Sequence, residues 1–240
     1  MVGDDEEAVA PEVRKATENQ ASAVELGIQF LVSQTSKYRL DLSETSEPRS
    51  LPFAAHGESS MADYIYVDNS NLYIEGRRVS AVAQGLAADI GDAMKCGILD
   101  QGYTISFGKL HEFLTGNDLS KIKRAALFGS RPPPNDSIWR HAEHAGFELH
   151  LEDRNVRNKE KKIDTGIATL ITKDAYKYGK AADDLFVLVA GDSDYVPTIK
   201  ALKEDGFKVE VVFWNHAAKE LKEVASEFLS LDPHLEHLRF

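Results

Sequence analysis

Four aspartates stand where metal-assisted hydrolysis would need them. Asp68 follows the apolar run 64–67, Asp192 and Asp194 follow the apolar run 185–190 within Ala-Gly-Asp-Ser-Asp-Tyr, and Asp164 lies near the start of an amphipathic stretch that ends at 177. Carboxylates brought together repel one another unless something positive sits between them. Hard divalent cations prefer oxygen ligands, and Mg²⁺ takes one or two carboxylates together with water and substrate phosphate. Such an ion lowers the pKa of water and polarises a phosphoryl group under attack. The donor set therefore predicts phosphodiester hydrolysis with Mg²⁺ or Mn²⁺ and no protein nucleophile. Singly, an aspartate after a strand more often just caps the next helix; only the set of four points to a site.

For these residues to meet, the runs around them must belong to one sheet. Residues 64–67, 124–128, 147–151, 185–190 and 207–213 are apolar runs of strand length, and 185–190 is continuous enough to be covered on both faces. Helical patterns separate them. One follows the first strand through about 95, and a short one centres on 110–114. Another is capped by Asn135 or Asp136 and stopped by Gly146. Over 163–177, Ile163, Ile167, Leu170, Ile171 and Ala175 form one apolar stripe. Asp194 can cap a helix with Pro197 in its first turn, and a last helix covers 219–228. Residues 154–162 read as a basic loop, as does Pro132-Pro133-Pro134 with its preceding Arg131. Strands alternating with helices predict an α/β fold, a Rossmann-like parallel sheet of about five strands with helices on both faces. Ligands of such sheets bind beyond the carboxyl ends of the strands, where the winding reverses. If the first and fourth strands are neighbours there, Asp68, Asp192 and Asp194 converge on one crevice, and Asp164 reaches it if its helix starts on that side.

The chain of 240 residues, 42% hydrophobic, is long enough for one domain with an extension. Its single cysteine, Cys96, permits no internal disulfide and no cysteine-rich zinc site. No apolar run approaches the roughly 20 residues that span a bilayer, and the acidic residues 4–7 do not resemble a secretory leader. The expectation is a cytoplasmic protein with no membrane partner. A net charge of -11 disfavours phosphate binding, but the charge is unevenly spread: residues 1–60 hold 5 basic and 11 acidic side chains, leaving 23 and 28 for 61–240. Bound divalent metal would offset much of that remainder locally. Residues 1–60 thus form an acidic extension. Segments 1–10 and 43–60 have disordered or linker-like composition, and Val24, Ile28 and Leu31 suggest a helix over 13–36. Residues 61–240 form the folded domain, and Met61 is an alternative natural start.

The motifs resemble a known family. Val67-Asp68-Asn69-Ser70-Asn71-Leu72-Tyr73 is similar to the first motif of the NYN domain family, a branch of the PIN-like ribonucleases. Lys161-Lys162-Ile163-Asp164 resembles its Lys-Gly-Val-Asp element, and Leu188-Val189-Ala190-Gly191-Asp192-Ser193-Asp194-Tyr195-Val196-Pro197 its Ser-Gly-Asp-Ser-Asp-Phe-Val-Pro element. Leu221, Ala225, Phe228 and Leu231 are similar to the tail of the LabA-like branch, and the resemblance spans about 64–232. It implies metal-binding roles for Asp68, Asp164, Asp192 and Asp194, and that Asn71 orients Asp68 or contacts substrate. Ser70 and Ser193, inside the motifs, become substrate-binding candidates. Lys162 departs from the usual Gly and Ala190 from a frequent Ser; neither removes a carboxylate. The resemblance implies a metal-dependent ribonuclease, with single-stranded or structured RNA as partner and a homodimer as a compatible assembly.

Three basic groups can rim the crevice and hold phosphate: Arg77 with Arg78, Arg131, and Lys159, Lys161 and Lys162 with Arg154 and Arg157. Tyr73, Tyr195 and Trp139 are candidates to stack on bases, although Trp139, beside Ile138 at the start of an apolar helix face, is better suited to the core. His141 and His144 lack the further ligand a zinc site needs, and neither a nucleophile elbow nor Gly-x-Gly-x-x-Gly is present. Two alternatives compete with the ribonuclease. One is a non-catalytic RNA-binding or regulatory module. The other is a haloacid-dehalogenase-type phosphatase, since Asp192-Ser193-Asp194-Tyr195-Val196 also resembles its Asp-x-Asp-x-Val signature with Asp192 as nucleophile.

Overall fold

The computed structural model describes residues 64–116, 119–131, 137–153 and 159–240. The extension 1–60 with its candidate helix, Met61, the triple proline, Arg154 and Arg157 lie outside the described residues.

Among the described residues, six strands form one sheet: Tyr64–Asp68 (β1), Arg124–Arg131 (β2), Glu148–Asp153 (β3), Leu185–Val189 (β4), Lys208–Phe213 (β5) and Glu227–Ser230 (β6). Their order is β3-β2-β1-β4-β5-β6 and every pairing is parallel. The winding reverses between β1 and β4, whose Tyr64 and Phe186 are register partners. The neighbour relation on which a shared crevice depends is therefore met. The helices are Asn69–Ala83 (α1), Ile90–Cys96 (α2), Phe107–Thr115 (α3), Ser137–His144 (α4), Lys159–Tyr178 (α5), Val196–Glu204 (α6), Lys219–Val224 (α7) and Leu235–Leu238 (α8). Among the described residues, none is long and apolar enough to cross a membrane.

Alternation along the central strands builds a core on each face of the sheet. Ile65, Val67, Val187 and Val189 pack with Leu72 of α1, Leu110 and Phe113 of α3, Trp139 of α4 and Leu235 of α8. Tyr64, Tyr66, Phe186 and Leu188 pack with Ile163, Ile167 and Ile171 of α5, Ile199 of α6 and Leu221 of α7. The expected stripe on α5 is thus what joins it to the sheet. Asp68 has the parity of Tyr64 and Tyr66, which directs it to the face that α5 covers.

Four boundaries differ from the sequence reading. The helical pattern after β1 breaks between Ala83 and Ile90, where Asp89 caps a separate α2 by accepting from the Asp92 amide. β2 continues to Arg131, as far as the proline run. α5 begins at Lys159 and absorbs the end of the expected basic loop, Lys and Glu being good helix formers. The last predicted helix stops at Val224, and Glu227–Ser230 becomes the edge strand β6. Ser226 marks the switch: its amide donates to Val209 O at 2.7 Å, and its Oγ accepts from the Val209 amide at 3.1 Å. Four residues, of which only Phe228 and Leu229 are apolar, carry too little periodicity to separate strand from helix. Gly146 ends α4 as expected, at φ +107, a conformation that other residues rarely adopt.

At the amino end of the sheet, fully buried Asp174 of α5 accepts from Tyr66 Oη at 2.7 Å and pairs with Arg124 Nε at 2.6 Å, while Arg124 also pairs with Glu148. Removing one partner of a buried pair strands the other. Asp174→Ala is expected to lower unfolding free energy by about 3 kcal/mol in urea denaturation. Tyr66→Phe, which deletes one hydrogen bond and keeps the ion pair, should cost about 1–2 kcal/mol.

Candidate active site

The carboxyl ends of β1 and β4 deliver two turns to the same place. Asp68 ends β1 and caps α1, its Oδ1 accepting from the Asn71 amide at 3.0 Å. The Asn71 side chain turns the other way, and its Oδ1 accepts from the Gly191 amide at 2.9 Å. Asn71 therefore links the turn after β1 to the turn after β4, orienting Asp68 through its backbone and Gly191 through its side chain. Gly191 admits no side chain, since a Cβ there would lie 2.2 Å from the Phe213 ring. Its carbonyl accepts from the Ala218 amide at 2.9 Å, which ties in the loop after β5 as well.

Asp68 is 5% exposed. Its Oδ2 accepts from Tyr195 Oη at 3.2 Å, and the same hydroxyl lies 3.0 Å from Oδ1 of half-buried Asp164 on α5. Two carboxylates from distant segments thus share one phenol. Burial pushes the Asp68 carboxyl up from 3.8 to about 6, helped by the charge of Asp164 and opposed by hydrogen bonds from Asn71, Tyr195 and Ser70. Burial, then the two nearby carboxylates, push the Tyr195 phenol far above its ordinary value, so it remains protonated.

Asp192 and Asp194 are exposed. Asp192 caps the short 3₁₀ turn Ser193–Tyr195, accepting from the Asp194 amide at 3.1 Å. The capping role expected of Asp194 belongs to Asp192, because the 3₁₀ turn intervenes before α6, whose N-cap, Tyr195, makes no side-chain cap. Asp194 instead lines a cleft of about 720 Å³ with Asp164, Thr165, Ala168, Thr169, Thr172, Lys173 and Thr198. Among the described residues, no three His, Cys, Asp or Glu side chains converge as a ready metal cage. The site is a carboxylate pair, Asp68 with Asp164, with Asp194 sharing the cleft of Asp164 and Asp192 beside it in the chain. That donor chemistry fits Mg²⁺ or Mn²⁺, which need only one or two carboxylates.

The substrate-contact candidates divide. Ser70 is half-buried in the first turn of α1 and Ser193 is exposed in the 3₁₀ turn. Lys162 is exposed, 3.6 Å from Glu152, and lines a neighbouring groove of about 900 Å³ that shares Thr165, Thr169 and Lys173 with the cleft. Arg77 donates to Asp100 O at 2.9 Å and to Gln101, and lies over the Tyr73 ring. Arg78 pairs with Glu75, which also contacts His216 Nε2 at 2.7 Å. Arg131, Lys159 and Lys161 have described backbone at the end of β2 and the start of α5, but their side chains lie outside the described residues. Trp139 and Tyr195 are buried in the two cores, so neither is available to stack on a base.

Sequence reasoning missed the role of Tyr195. The available signal was a departure from the family motif, Tyr where the pattern has Phe, which adds one hydroxyl between two acids.

A family model of the NYN domain matches residues 64–232. Among solved structures, a Vibrio parahaemolyticus protein of unknown function is similar in fold, with a TM-score of 0.51 at 17% identity, covering 76% of this chain and 99% of its own. No curated protein matches the chain.

A carboxyl group raised on folding contributes stability that is full below its unfolded pKa and is lost as pH climbs through the folded value. For Asp68 that window runs from about 4 to beyond 6. In chelator, wild type should therefore lose about 2–3 kcal/mol relative to Asp68→Asn between pH 4 and pH 8. Paired urea titrations across that range check it; parallel pH profiles would show that Asp68 ionises freely.

Proposed function

This chain belongs to the NYN domain family, and from that premise we propose that it is a metal-dependent ribonuclease acting on RNA phosphodiesters. The observation that carries the proposal is a contrast between two buried carboxylates. Asp174 takes its positive charge from Arg124 of the same chain. Asp68 is held by neutral donors, the Asn71 and Ser70 amides and the Tyr195 hydroxyl, beside the like charge of Asp164. A site built in this way suits a cation supplied from solution.

Asp68 and Asp164 would hold that cation, with Asp194 and Asp192 adding charge at the rim. A bound Mg²⁺ or Mn²⁺ would supply the charge that acidifies the attacking water and steadies the phosphoryl group. The chain's own contribution is geometry. Asn71 locks the two turns together, and the Asp68 carboxylate has both oxygens engaged, so its orientation is fixed before substrate arrives. The cleft beside Asp164 is lined by Thr165, Thr169, Thr172 and Thr198 and by Lys173, a polar lining with one cation that suits a sugar–phosphate backbone. The phosphatase alternative gains no support, since its nucleophile follows a first strand, whereas Asp192 follows β4 and is engaged in a cap.

With labelled single-stranded RNA, wild type should cleave in Mn²⁺ or Mg²⁺ and not in chelator. Asp68→Asn should cut the rate by roughly a thousandfold or more and Asp192→Asn, which removes rim charge, by less, while far-UV circular dichroism is unchanged in both. Unchanged rates in both variants would overturn the site. RNA binding without cleavage by wild type in either metal would identify a binding module instead.

A further inference from the structure

Tyr195 stands apart from the other groups at the site because its position is independent of them. Its ring is 1% exposed, packed in the core that α5, α6 and α7 share. The hydroxyl is therefore set by packing, and it lies 3.2 Å from Asp68 Oδ2 and 3.0 Å from Asp164 Oδ1. Asp68 cannot turn away, because its Oδ1 is held by the Asn71 amide at 3.0 Å. Asp164 is half-buried and opens on its other side into the cleft it shares with Asp194. The phenol thus reaches the pair from the core, and Asp164 is the member of the pair that lines the cleft. A phenol carries one proton, so it donates to one carboxylate at a time.

We propose that Tyr195 is a positioning residue that holds Asp68 and Asp164 convergent for a divalent cation, through the hydroxyl shared by their facing oxygens. The inference rests on the metal site of the ribonuclease reading and adds the group that sets its affinity. Two like-charged side chains repel one another. A donor fixed between them on the buried side keeps them together, so an incoming cation does not have to gather its ligands. Groups that orient metal ligands in this manner typically change metal affinity by about 10–100-fold when removed.

Tyr66 provides an internal control. Its hydroxyl also donates to a buried aspartate, Asp174, at 2.7 Å, but at the opposite end of the sheet. The experiment is calorimetric titration of the full chain with MnCl₂, comparing wild type, Tyr195→Phe and Tyr66→Phe, with RNA cleavage by wild type measured alongside. Tyr195→Phe is expected to bind Mn²⁺ about tenfold or more weakly, and the rise in Tm that Mn²⁺ produces should shrink accordingly. Tyr66→Phe should bind as wild type does, despite a comparable loss of metal-free stability. Equal or tighter binding by Tyr195→Phe overturns the positioning role, as does an equal loss in both variants. Absence of Mn²⁺ binding by wild type overturns the metal site and this inference together. Binding with the expected variant pattern but no cleavage upholds the positioning role while overturning the ribonuclease. Should Tyr195→Phe fail to fold, Mg²⁺ titration of wild type carrying ¹³Cζ-labelled tyrosine replaces it. The Tyr195 resonance should shift and that of Tyr66 stay still; a stationary Tyr195 resonance overturns the inference.

Discussion

A carboxylate taken out of water at the junction of β1 and β4 is the constraint around which the rest is arranged. A charge at that depth is costly unless its lone pairs are met. At Asp68 the donors come from the first turn of α1 and from the turn after β4, so the two central strands must end at the same level. The Asn71–Gly191 bond closes the same junction from the other face, and the Gly191 carbonyl passes the connection on to the loop after β5. Gly191 itself is required by the Phe213 ring, which leaves no room for a methyl group. Three strand ends are thereby locked into one rim.

The two ends of the sheet use the same residue type for different purposes. Near the amino ends of the strands, Asp174 is fully buried, paired with Arg124 and hydrogen-bonded by Tyr66, an arrangement complete within the chain. Near the carboxyl ends, Asp68 and Asp164 share a phenol, and burial leaves Asp68 harder to ionise than an ordinary carboxyl. The first arrangement serves stability. The second gives some up, which is common where a side chain is held ready for chemistry. α5 spans both, carrying Asp164 near its start and Asp174 near its end, so a single helix sets the positions of the two acids.

Much of the fold was legible because its signals are local. The apolar runs of β1 and β4 and the stripe on α5 are statements about period, and period survives into the structure. The family motifs surrounding Asp68, Asp164 and Asp192 carry their own spacing. The edge strand β6 was not legible, since four residues hold too little pattern and a register with β5 decides them. Nor was the cap after β4: Asp192 and Asp194 are equivalent on paper, and a 3₁₀ turn chooses between them.

What the sequence determined by itself was which carboxylates exist, where each falls relative to a strand, and that an alternating α/β chain would bring their turns to one side. The tertiary structure alone decided which of them share a hydrogen-bond partner. Asp68 shares the Tyr195 hydroxyl with Asp164, almost a hundred residues away, because strand parity points Asp68 towards the face that α5 covers. Tyr195, a plausible base-stacking residue by type, becomes the link between them because its ring is claimed by the core and only its hydroxyl reaches the site. Side-chain type sets what a residue can do, but burial and direction follow from packing between distant segments, and no local pattern encodes them.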